Sequence, residues 1–517
     1  MTTVREATLS ILRQTGMTTI FGNPGSTELP MFRDFPDDFR YILGLQESVV
    51  MGMADGYAQA TRNAAFVNLH SAAGVGHALG NLFTAFKNQT PLVVAAGQQA
   101  RSILPFEPFL YAERATEFPR PYVKYSVEPA RAEDVPAAIA RAYHIAMQAP
   151  QGPVFISIPV DDWDRECAAF TMPVVSQHVR GDAAMLAGVA TALAAARKPV
   201  FVVGAGVALD DAWENVIALA ERHQAAVWVA PMNARASFPE DHPLFQGFLS
   251  AFREKIVADL AGADLILVLG APAFTYHAEG FGPHVPEGAA LFQLTNDPNQ
   301  ASWTPEGTSI VTDLKAGIDD LLAGPLSVGR MALLPRTLQQ ALALAPLTDA
   351  YLLQRIAALR PADSIIVEEA ASSRGAMHDH LPITIRDGFY TCASGGLGHG
   401  LPAAIGVAMG RSERVIAVLG DGAAMYAIQG LWSAAQLKLP MTFIIINNRR
   451  YEALHVFGRH FGLQSLEGTS LSGIDFGELA KGQGVNALRV EKAEHLDAAL
   501  NAAFVSDGPM LVEVLVD

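Results

Sequence analysis

The chain has 517 residues, half of them hydrophobic, which is enough to form the cores of about three domains. Aspartate and glutamate number 52 against 36 lysines and arginines, so the formal net charge is −16. This acidic balance argues against a nucleic-acid partner, because phosphate backbones are bound by basic surfaces.

The sequence carries no sign of export or membrane insertion. Cys167 and Cys392 are its only cysteines, which excludes a disulfide framework and a cysteine metal cluster. Near the N-terminus, Arg5 and Glu6 lie inside an amphipathic helical pattern, unlike a signal peptide. We find no uninterrupted apolar run of about 18 residues. These features predict a cytoplasmic protein.

Residues 1–170 alternate short apolar strands with helices, which is typical of a doubly wound α/β domain. Strands are predicted at 18–21, 41–46, 65–69, 91–96 and 154–158. Ser26, Glu47 and His70 each follow a different one of these strands. Ligands bind at that edge of an open parallel sheet, so the three form a predicted functional set. The alternatives are a helix N-cap, a first-turn carboxylate and a core histidine, respectively.

A second α/β block is predicted at 183–325, after an irregular linker at about 171–182. The pair Gly204 and Gly206 lacks the third glycine and the acidic residue of a dinucleotide-binding motif, so we interpret it as structural. His277 lies in a loop bounded by glycine and proline that follows the strand predicted at 265–269. It is either an ordinary loop residue or one that reaches a site outside its own domain.

A third block begins after a proline-containing stretch at about 325–346. Its most informative part is a strand at 415–419 that ends at Gly-Asp-Gly, a helix predicted at 423–437, and a strand at 441–446 that ends at Asn-Asn. Strands joined by a right-handed crossover are parallel, so Asp421 and Asn448 are expected on the same sheet edge.

This spacing predicts a metal and diphosphate site. The oxygen atoms of Asp421 and Asn448 suit one hard cation, and the flanking glycines allow backbone amides to approach a diphosphate. A Gly-Asp-Gly turn alone is weak evidence, because aspartate beside glycine is usually only a turn. The same turn followed by Asn-Asn, with residues 423–446 between them, is far more specific.

Motifs in order along the chain resemble those of thiamine-diphosphate-dependent 2-oxo acid decarboxylases, most of all the benzoylformate decarboxylase type. The resemblance covers nearly the whole chain, and its motifs are FGNPGSTELP (21–30), LQES (45–48), NLHSAAG (68–74), GAPAFTYH (270–277), GGLGHGLPAAIGVA (395–408) and the GDG…NN unit.

The resemblance implies three doubly wound parallel-sheet domains: pyrimidine-binding at 1–170, central at 183–325, and diphosphate-binding at 346–517. It implies thiamine diphosphate with Mg²⁺ (or Ca²⁺), the metal being bound by Asp421, Asn448 and the carbonyl of Arg450. It also implies a homo-oligomer, usually a tetramer built from dimers that share active sites.

The resemblance further assigns roles to individual residues. Glu47 hydrogen-bonds the cofactor's aminopyrimidine ring, Ser26 orients the substrate carboxylate, and His70 and His277 transfer protons. Expected cofactor contacts are Asn23, Pro24, Gly25, Leu397, Gly420, Gly422, Ala423 and Tyr451. The expected substrate pocket consists of Phe109, Leu110, Ala453, Leu454 and Phe457, for which the alternative is ordinary core packing.

The implied reaction is non-oxidative decarboxylation of an aromatic or apolar 2-oxo acid to an aldehyde. Two departures from the family pattern leave the substrate open: Arg449-Arg450-Tyr451-Glu452 replaces Gly-Thr-Tyr-Gly, and Phe109 replaces a leucine. A smaller substrate, or one with a polar tail, also fits these changes. Other functions left open are a carboligase or acetolactate-synthase-like enzyme using the same enamine intermediate, a flavin-bearing relative, and an inactive cofactor-binding scaffold.

Overall fold

The computed structural model describes residues 2–327, 329–330 and 333–517. The predicted connection at 325–346 includes Val328, Met331 and Ala332, which lie outside the described residues. The chain forms two compact units. The first unit comprises 1–176, 343–373 and 394–517, and the second unit comprises 177–342 and 374–393.

The N-terminal part of the first unit is built on a six-stranded parallel sheet in the order β3-β2-β4-β5-β7-β6. The six strands of this sheet are β2 (Thr19–Gly22), β3 (Arg40–Leu43), β4 (Ala65–Leu69), β5 (Leu92–Gln98), β6 (Ser126–Val127) and β7 (Val154–Pro159). Two further short strands, β1 (Thr2–Thr3) and β8 (Glu166–Cys167), form a separate antiparallel pair. Its helices are α1 (Val4–Gln14), α2 (Glu47–Thr61), α3 (Ser71–Lys87) and α4 (Val135–Met147). The strand order changes direction at β2, so the carboxyl ends of β2 and β4 flank a switch point where ligands typically bind.

The strand predicted at 41–46 was too long, because β3 ends at Leu43. The reason is a helix cap: the side-chain oxygen of Gln46 accepts hydrogen bonds from the amides of Ser48 and Val49, at 2.6 and 3.2 Å. This capping starts α2 at Glu47.

The second unit contains another six-stranded parallel sheet, in the order β11-β10-β9-β12-β13-β14. Its elements are α5 (Ala183–Ala195), β9 (Pro199–Val203), α6 (Gly206–Leu209), α7 (Trp213–His223), β10 (Ala226–Val229), β11 (Phe245–Phe248), α8 (Arg253–Asp259), β12 (Leu265–Leu269), β13 (Ala290–Thr295), α9 (Pro298–Ser302), β14 (Thr308–Val311) and α10 (Leu314–Leu322). Cβ atoms on Gly204 and Gly206 would lie 2.7 Å from the Gly270 carbonyl oxygen and 2.6 Å from its Cα. The two glycines therefore allow close backbone packing.

The rest of the chain supplies a third parallel sheet. The elements of this part of the chain are α11 (Asp349–Leu359), β15 (Ile365–Glu369), α12 (Arg374–His380), β16 (Phe389–Thr391), α13 (Gly400–Gly410), β17 (Val415–Gly420), α14 (Asp421–Met425), α15 (Gly430–Leu437), β18 (Thr442–Asn447), α16 (Glu452–His460), α17 (Phe476–Gly482), β19 (Asn486–Val490), α18 (Ala493–Phe504) and β20 (Met510–Leu515). Within the first unit, neighbouring strands pair in parallel in the order β15-β17-β18-β20-β19.

Residues 374–393, with α12 and β16, belong to the second unit. A buried ion pair joins Arg235 to Asp387 at 2.8 Å, and the Arg235 guanidinium lies over the Tyr390 ring. These contacts attach the segment to the second unit.

The single helix predicted at 423–437 was wrong, since α14 and α15 are separate. Between them, the amides of Tyr426, Ala427 and Gly430 bond to carbonyls three residues back instead of four. Such tightened turns have poorer hydrogen-bond geometry and break a helix.

A buried polar cluster connects the N-terminal and C-terminal parts of the first unit. His399 pairs with Asp55, which also accepts from Asn88 at 2.9 Å. Burial raises the pKa of Glu369 to about 7, although its oxygens accept from the amides of His399 and Gly400. The cluster therefore joins α2 to the turn before α13.

In the described part of the chain, no helix is both long and apolar enough to cross a bilayer.

Candidate active site

Two groups of polar residues lie at sheet edges in the first unit. One follows β2, β3 and β4 and contains the predicted residues Ser26, Glu47 and His70. The other follows β17 and β18 and contains Asp421 and Asn448.

Glu47 begins α2 and is 8% exposed. Its Oε1 accepts a hydrogen bond from the side-chain amide of Asn23 at 3.2 Å, and its Oε2 lies 3.2 Å from Nδ1 of His77. Gly74, one helical turn into α3, lies beside this carboxylate, and a Cβ there would be in ordinary van der Waals contact with it at 3.5 Å. Glu47 is thus held at the edge by residues from two other elements. His77 was not singled out from the sequence, where nothing marks it.

His70 lies directly before α3 and packs tightly on the loop after β2. Its Nδ1 is 2.9 Å from Oε2 of Glu28, and a Cβ on Gly25 would come within 2.2 Å of the same nitrogen. Ser26 is exposed, whereas Thr27 is buried, with its hydroxyl 3.2 Å from His70 Nδ1. Sequence reasoning missed Glu28. The only available signal was a charged residue two positions after Ser26 in an otherwise uncharged turn.

Asp421 and Asn448 follow neighbouring parallel strands, as the register of Gly420 with Ile446 shows. Asp421 is 4% exposed, and its Oδ1 accepts from the Gly422 amide at 2.7 Å. Burial raises the pKa of Asp421, and the amides of Gly422, Arg449 and Arg450 oppose that effect. Asp421 and Asn448 therefore lie after adjacent strand ends on the same edge of the sheet.

Asp421 Oδ2 is buried and has no hydrogen-bond partner among the described residues. Such an atom normally has a partner, so this oxygen fits a ligand that the chain itself does not supply. Within the described residues, no three or more His, Cys, Asp or Glu side chains form a metal-binding group. A cation here would therefore be bound by carboxylate, amide and carbonyl oxygens, a set that suits Mg²⁺ or Ca²⁺.

Glycines shape the surface around Asp421. A Cβ on Gly422 would lie 2.3 Å from the Tyr451 ring, and one on Gly398 would lie 2.6 Å from Cβ of Tyr426. Leu397 precedes Gly398, whose φ of +94° favours glycine. The expected cofactor residues Gly420 and Ala423 belong to the end of β17 and to α14, respectively.

The residues expected to line the substrate pocket are not part of the buried core. Phe109 is 87% exposed and Leu454 is 50% exposed, while Leu110, Ala453 and Phe457 are partly buried. Ala453, Leu454 and Phe457 all belong to α16.

Glu452, the unexpected acid beside this group, is paired with two arginines. Its oxygens lie 2.7 Å from Nε of Arg450 and 3.3 Å from Nη2 of Arg459. Burial raises the pKa of Glu452, but hydrogen bonds from both arginines outweigh it, and the pKa lies below its ordinary value. The negative charge of Glu452 is therefore balanced by the two neighbouring guanidinium groups.

His277 belongs to the second unit, in the loop after β12. Its side chain is exposed, and its amide donates to the Ala251 carbonyl at 2.9 Å.

Comparison with protein families gives three matches to thiamine pyrophosphate enzymes. The N-terminal thiamine pyrophosphate-binding domain matches residues 2–115, the central domain 186–321, and the C-terminal thiamine pyrophosphate-binding domain 369–514.

Individual relatives match over the full chain. Benzoylformate decarboxylase of Pseudomonas aeruginosa is 42% identical, covering 99% of both chains. The crystal structure of benzoylformate decarboxylase from Polynucleobacter necessarius superposes with a TM-score of 0.98 at 39% identity, covering 100% of this chain and 99% of that one. The thiamine diphosphate-dependent 4-hydroxybenzoylformate decarboxylase of Rhodococcus jostii RHA1 gives a TM-score of 0.97 at 40% identity, with the same coverage.

Proposed function

Because this chain belongs to the thiamine pyrophosphate enzyme family, we propose that it decarboxylates a 2-oxo acid without oxidation, releasing an aldehyde and carbon dioxide. Benzoylformate, or a similar aromatic 2-oxo acid, is the proposed substrate, in line with what the relatives are named for. The observation that carries the proposal is the pair of buried carboxylates, Glu47 and Asp421, at the carboxyl edges of two parallel sheets.

We further propose how the cofactor is held. Asp421, Asn448 and the carbonyl of Arg450 would bind Mg²⁺ or Ca²⁺, which the unpartnered Oδ2 of Asp421 supports. The diphosphate would be bound beside Gly420, Gly422 and Ala423, with Leu397, Tyr451, Asn23, Pro24 and Gly25 as further contacts. Bound thiamine diphosphate supplies the nucleophile and the electron sink that this decarboxylation needs.

The protein's own side chains orient the reactants and move protons. Glu47 would hold a hydrogen bond to the pyrimidine ring of the cofactor, and Ser26 would orient the substrate carboxylate. His70 and His277 would exchange protons with the carbonyl oxygen and with the carbon that becomes the aldehyde, since an imidazole ring nitrogen can both give up and accept a proton.

The substrate's side chain would contact Phe109, Leu110, Ala453, Leu454 and Phe457. Mostly apolar pockets of this kind suit an aryl group. In the single chain Phe109 and Leu454 are exposed, so the proposal includes a homo-oligomer, usually a tetramer, in which another copy covers them. It also includes a cytoplasmic location, in keeping with two buried free cysteines.

The test is carbon dioxide release from benzoylformate, phenylpyruvate, a branched-chain 2-oxo acid and pyruvate, each with thiamine diphosphate and Mg²⁺. We expect the highest kcat/KM with benzoylformate, and an amount of trapped aldehyde equal to the carbon dioxide released. A preference for pyruvate, or release from none of the four, would contradict the proposal. Condensation products in place of free aldehyde would indicate a carboligase.

A further inference from the structure

Glu28 is a buried carboxylate on which several hydrogen-bond donors converge. It follows the turn after β2 and is 1% exposed. Its Oε2 is 2.8 Å from the Gly25 amide nitrogen and 2.9 Å from His70 Nδ1. Its Oε1 is 3.0 Å from the Gly97 amide nitrogen and 2.6 Å from the Thr27 hydroxyl.

The partners of Glu28 suit a carboxylate. The two amides can only donate, and the Thr27 hydroxyl is free to rotate and donate as well. A carboxylate accepts from all three of these groups at once. In that arrangement the fourth contact, between Glu28 Oε2 and His70 Nδ1, is a hydrogen bond that the ring nitrogen donates.

A proton on Nδ1 leaves Nε2 of His70 as the nitrogen available for proton transfer. The hydrogen bond made by one ring nitrogen decides which tautomer a histidine adopts. A Cβ on Gly25 would lie 2.2 Å from Nδ1, so only glycine lets the loop support the ring this closely. The loop that carries Ser26 thus also orients His70.

We propose that Glu28 is a positioning residue that holds His70 in its Nδ1–H tautomer and in a fixed ring orientation. The proposal rests on the proposed function in one respect, because that function is what assigns a proton transfer to His70. The alternative is a purely structural role, in which Glu28 links the Gly25 and Gly97 backbone amides and His70 is only a neighbour.

The variant Glu28→Gln distinguishes the positioning role from the purely structural role. A glutamine has one acceptor oxygen, so it cannot serve both the Gly25–His70 pair and the Gly97–Thr27 pair of donors. Glu128→Gln is the matched control, because Glu128 lies in the same part of the chain and accepts a hydrogen bond from Ser157 at 2.7 Å.

The first measurement is long-range ¹H–¹⁵N NMR of the holoenzyme with ¹⁵N-labelled histidine, the His70 signals being assigned by their loss in His70→Gln. We expect a protonated Nδ1 and an unprotonated Nε2 in the wild type and in Glu128→Gln, and a shift towards the Nε2–H tautomer in Glu28→Gln. A wild-type Nε2–H tautomer would overturn the proposal, even if Glu28→Gln failed to fold. So would an unchanged Nδ1–H signal in a folded Glu28→Gln.

The second measurement is steady-state kinetics. Loss of a partner that orients a metal-ligating histidine costs about 10–100-fold, and by analogy we expect a loss of that order in kcat, with KM little changed. Glu28→Asp, which keeps the charge, should restore part of kcat and the Nδ1–H signal. An altered tautomer with normal kcat would overturn the positioning role. If the wild type decarboxylates no 2-oxo acid, the proposed function fails while the NMR result still decides the state of His70.

Discussion

At the scale of single residues, the two sheet edges differ in how their carboxylates are satisfied. Both oxygens of Glu47 have nitrogen neighbours, from Asn23 and the exposed His77. Asp421 keeps one buried oxygen without a partner among the described residues. The unpartnered oxygen of Asp421 suits a cation.

Glu47→Gln should abolish most turnover while cofactor binding persists, because the amide keeps the size of the side chain but loses its charge. The measurements are kcat with benzoylformate and thiamine diphosphate binding by calorimetry. Asp363→Asn, at an exposed acid before β15, is the control. Wild-type turnover in Glu47→Gln would contradict the assigned role.

Asp421→Ala should remove the stabilisation that Mg²⁺ and thiamine diphosphate confer. A ligand present at 100 times its dissociation constant stabilises the folded state by about 2.7 kcal/mol. Thermal unfolding with Mg²⁺ and cofactor, or with EDTA, should therefore give different Tm values for the wild type and equal ones for Asp421→Ala. Equal Tm values for the wild type in both conditions would refute metal binding at this site.

At the scale of elements, α2 and α13 pack closely through small residues. A Cβ on Gly56 would lie 2.1 Å from the Ala403 carbonyl oxygen, and one on Gly406 would lie 2.0 Å from that of Met53. Backbone atoms cannot swing aside as flexible side chains do, so both contacts require glycine. Since α2 begins at Glu47 and α13 follows the loop with Leu397, this packing fixes the N-terminal part of the first unit against its C-terminal part.

Gly56→Ala should destabilise the protein by about 1–3 kcal/mol, the usual cost of overpacking. Gly80→Ala in α3 is the matched control, because a Cβ there meets no atom within 4 Å. Helix propensity alone would favour alanine at both positions by about 0.5–1 kcal/mol. Thermal unfolding of both variants tests this, and equal Tm values for the two would contradict the packing argument.

At the scale of the whole molecule, the proposed site residues are divided between regions. Glu47 belongs to the N-terminal part of the first unit, Asp421 to its C-terminal part, and His277 to the second unit. The family resemblance implies that one copy's Glu47 acts with another copy's Asp421. Exposed apolar side chains such as Phe109 are what such an assembly would cover.

Mixing two inactive variants tests shared sites. When Glu47→Gln and Asp421→Ala chains are co-expressed with different tags, each mixed dimer should contain one intact site. Random pairing then restores about a quarter of wild-type activity, because symmetric dimers exchange equivalent surfaces. No recovery in purified mixed dimers would show that each site is built from a single chain.

The sequence by itself determined the fold class, the family, and the place of Asp421 and Asn448 after neighbouring parallel strands. Strand periodicity and turn residues are local signals, and the right-handed crossover rule places the ends of the two strands on the same edge of the sheet. The strands at 65–69 and 265–269 were predicted to the residue for the same reason.

Only the tertiary structure decided the contact of Glu28 with His70, the break between α14 and α15, and the attachment of residues 374–393 to the second unit. Glu28 and His70 are 42 residues apart, and no periodic pattern encodes a hydrogen bond across that distance. Such contacts depend on which strands become neighbours and how closely their loops pack, which is settled when the whole chain folds.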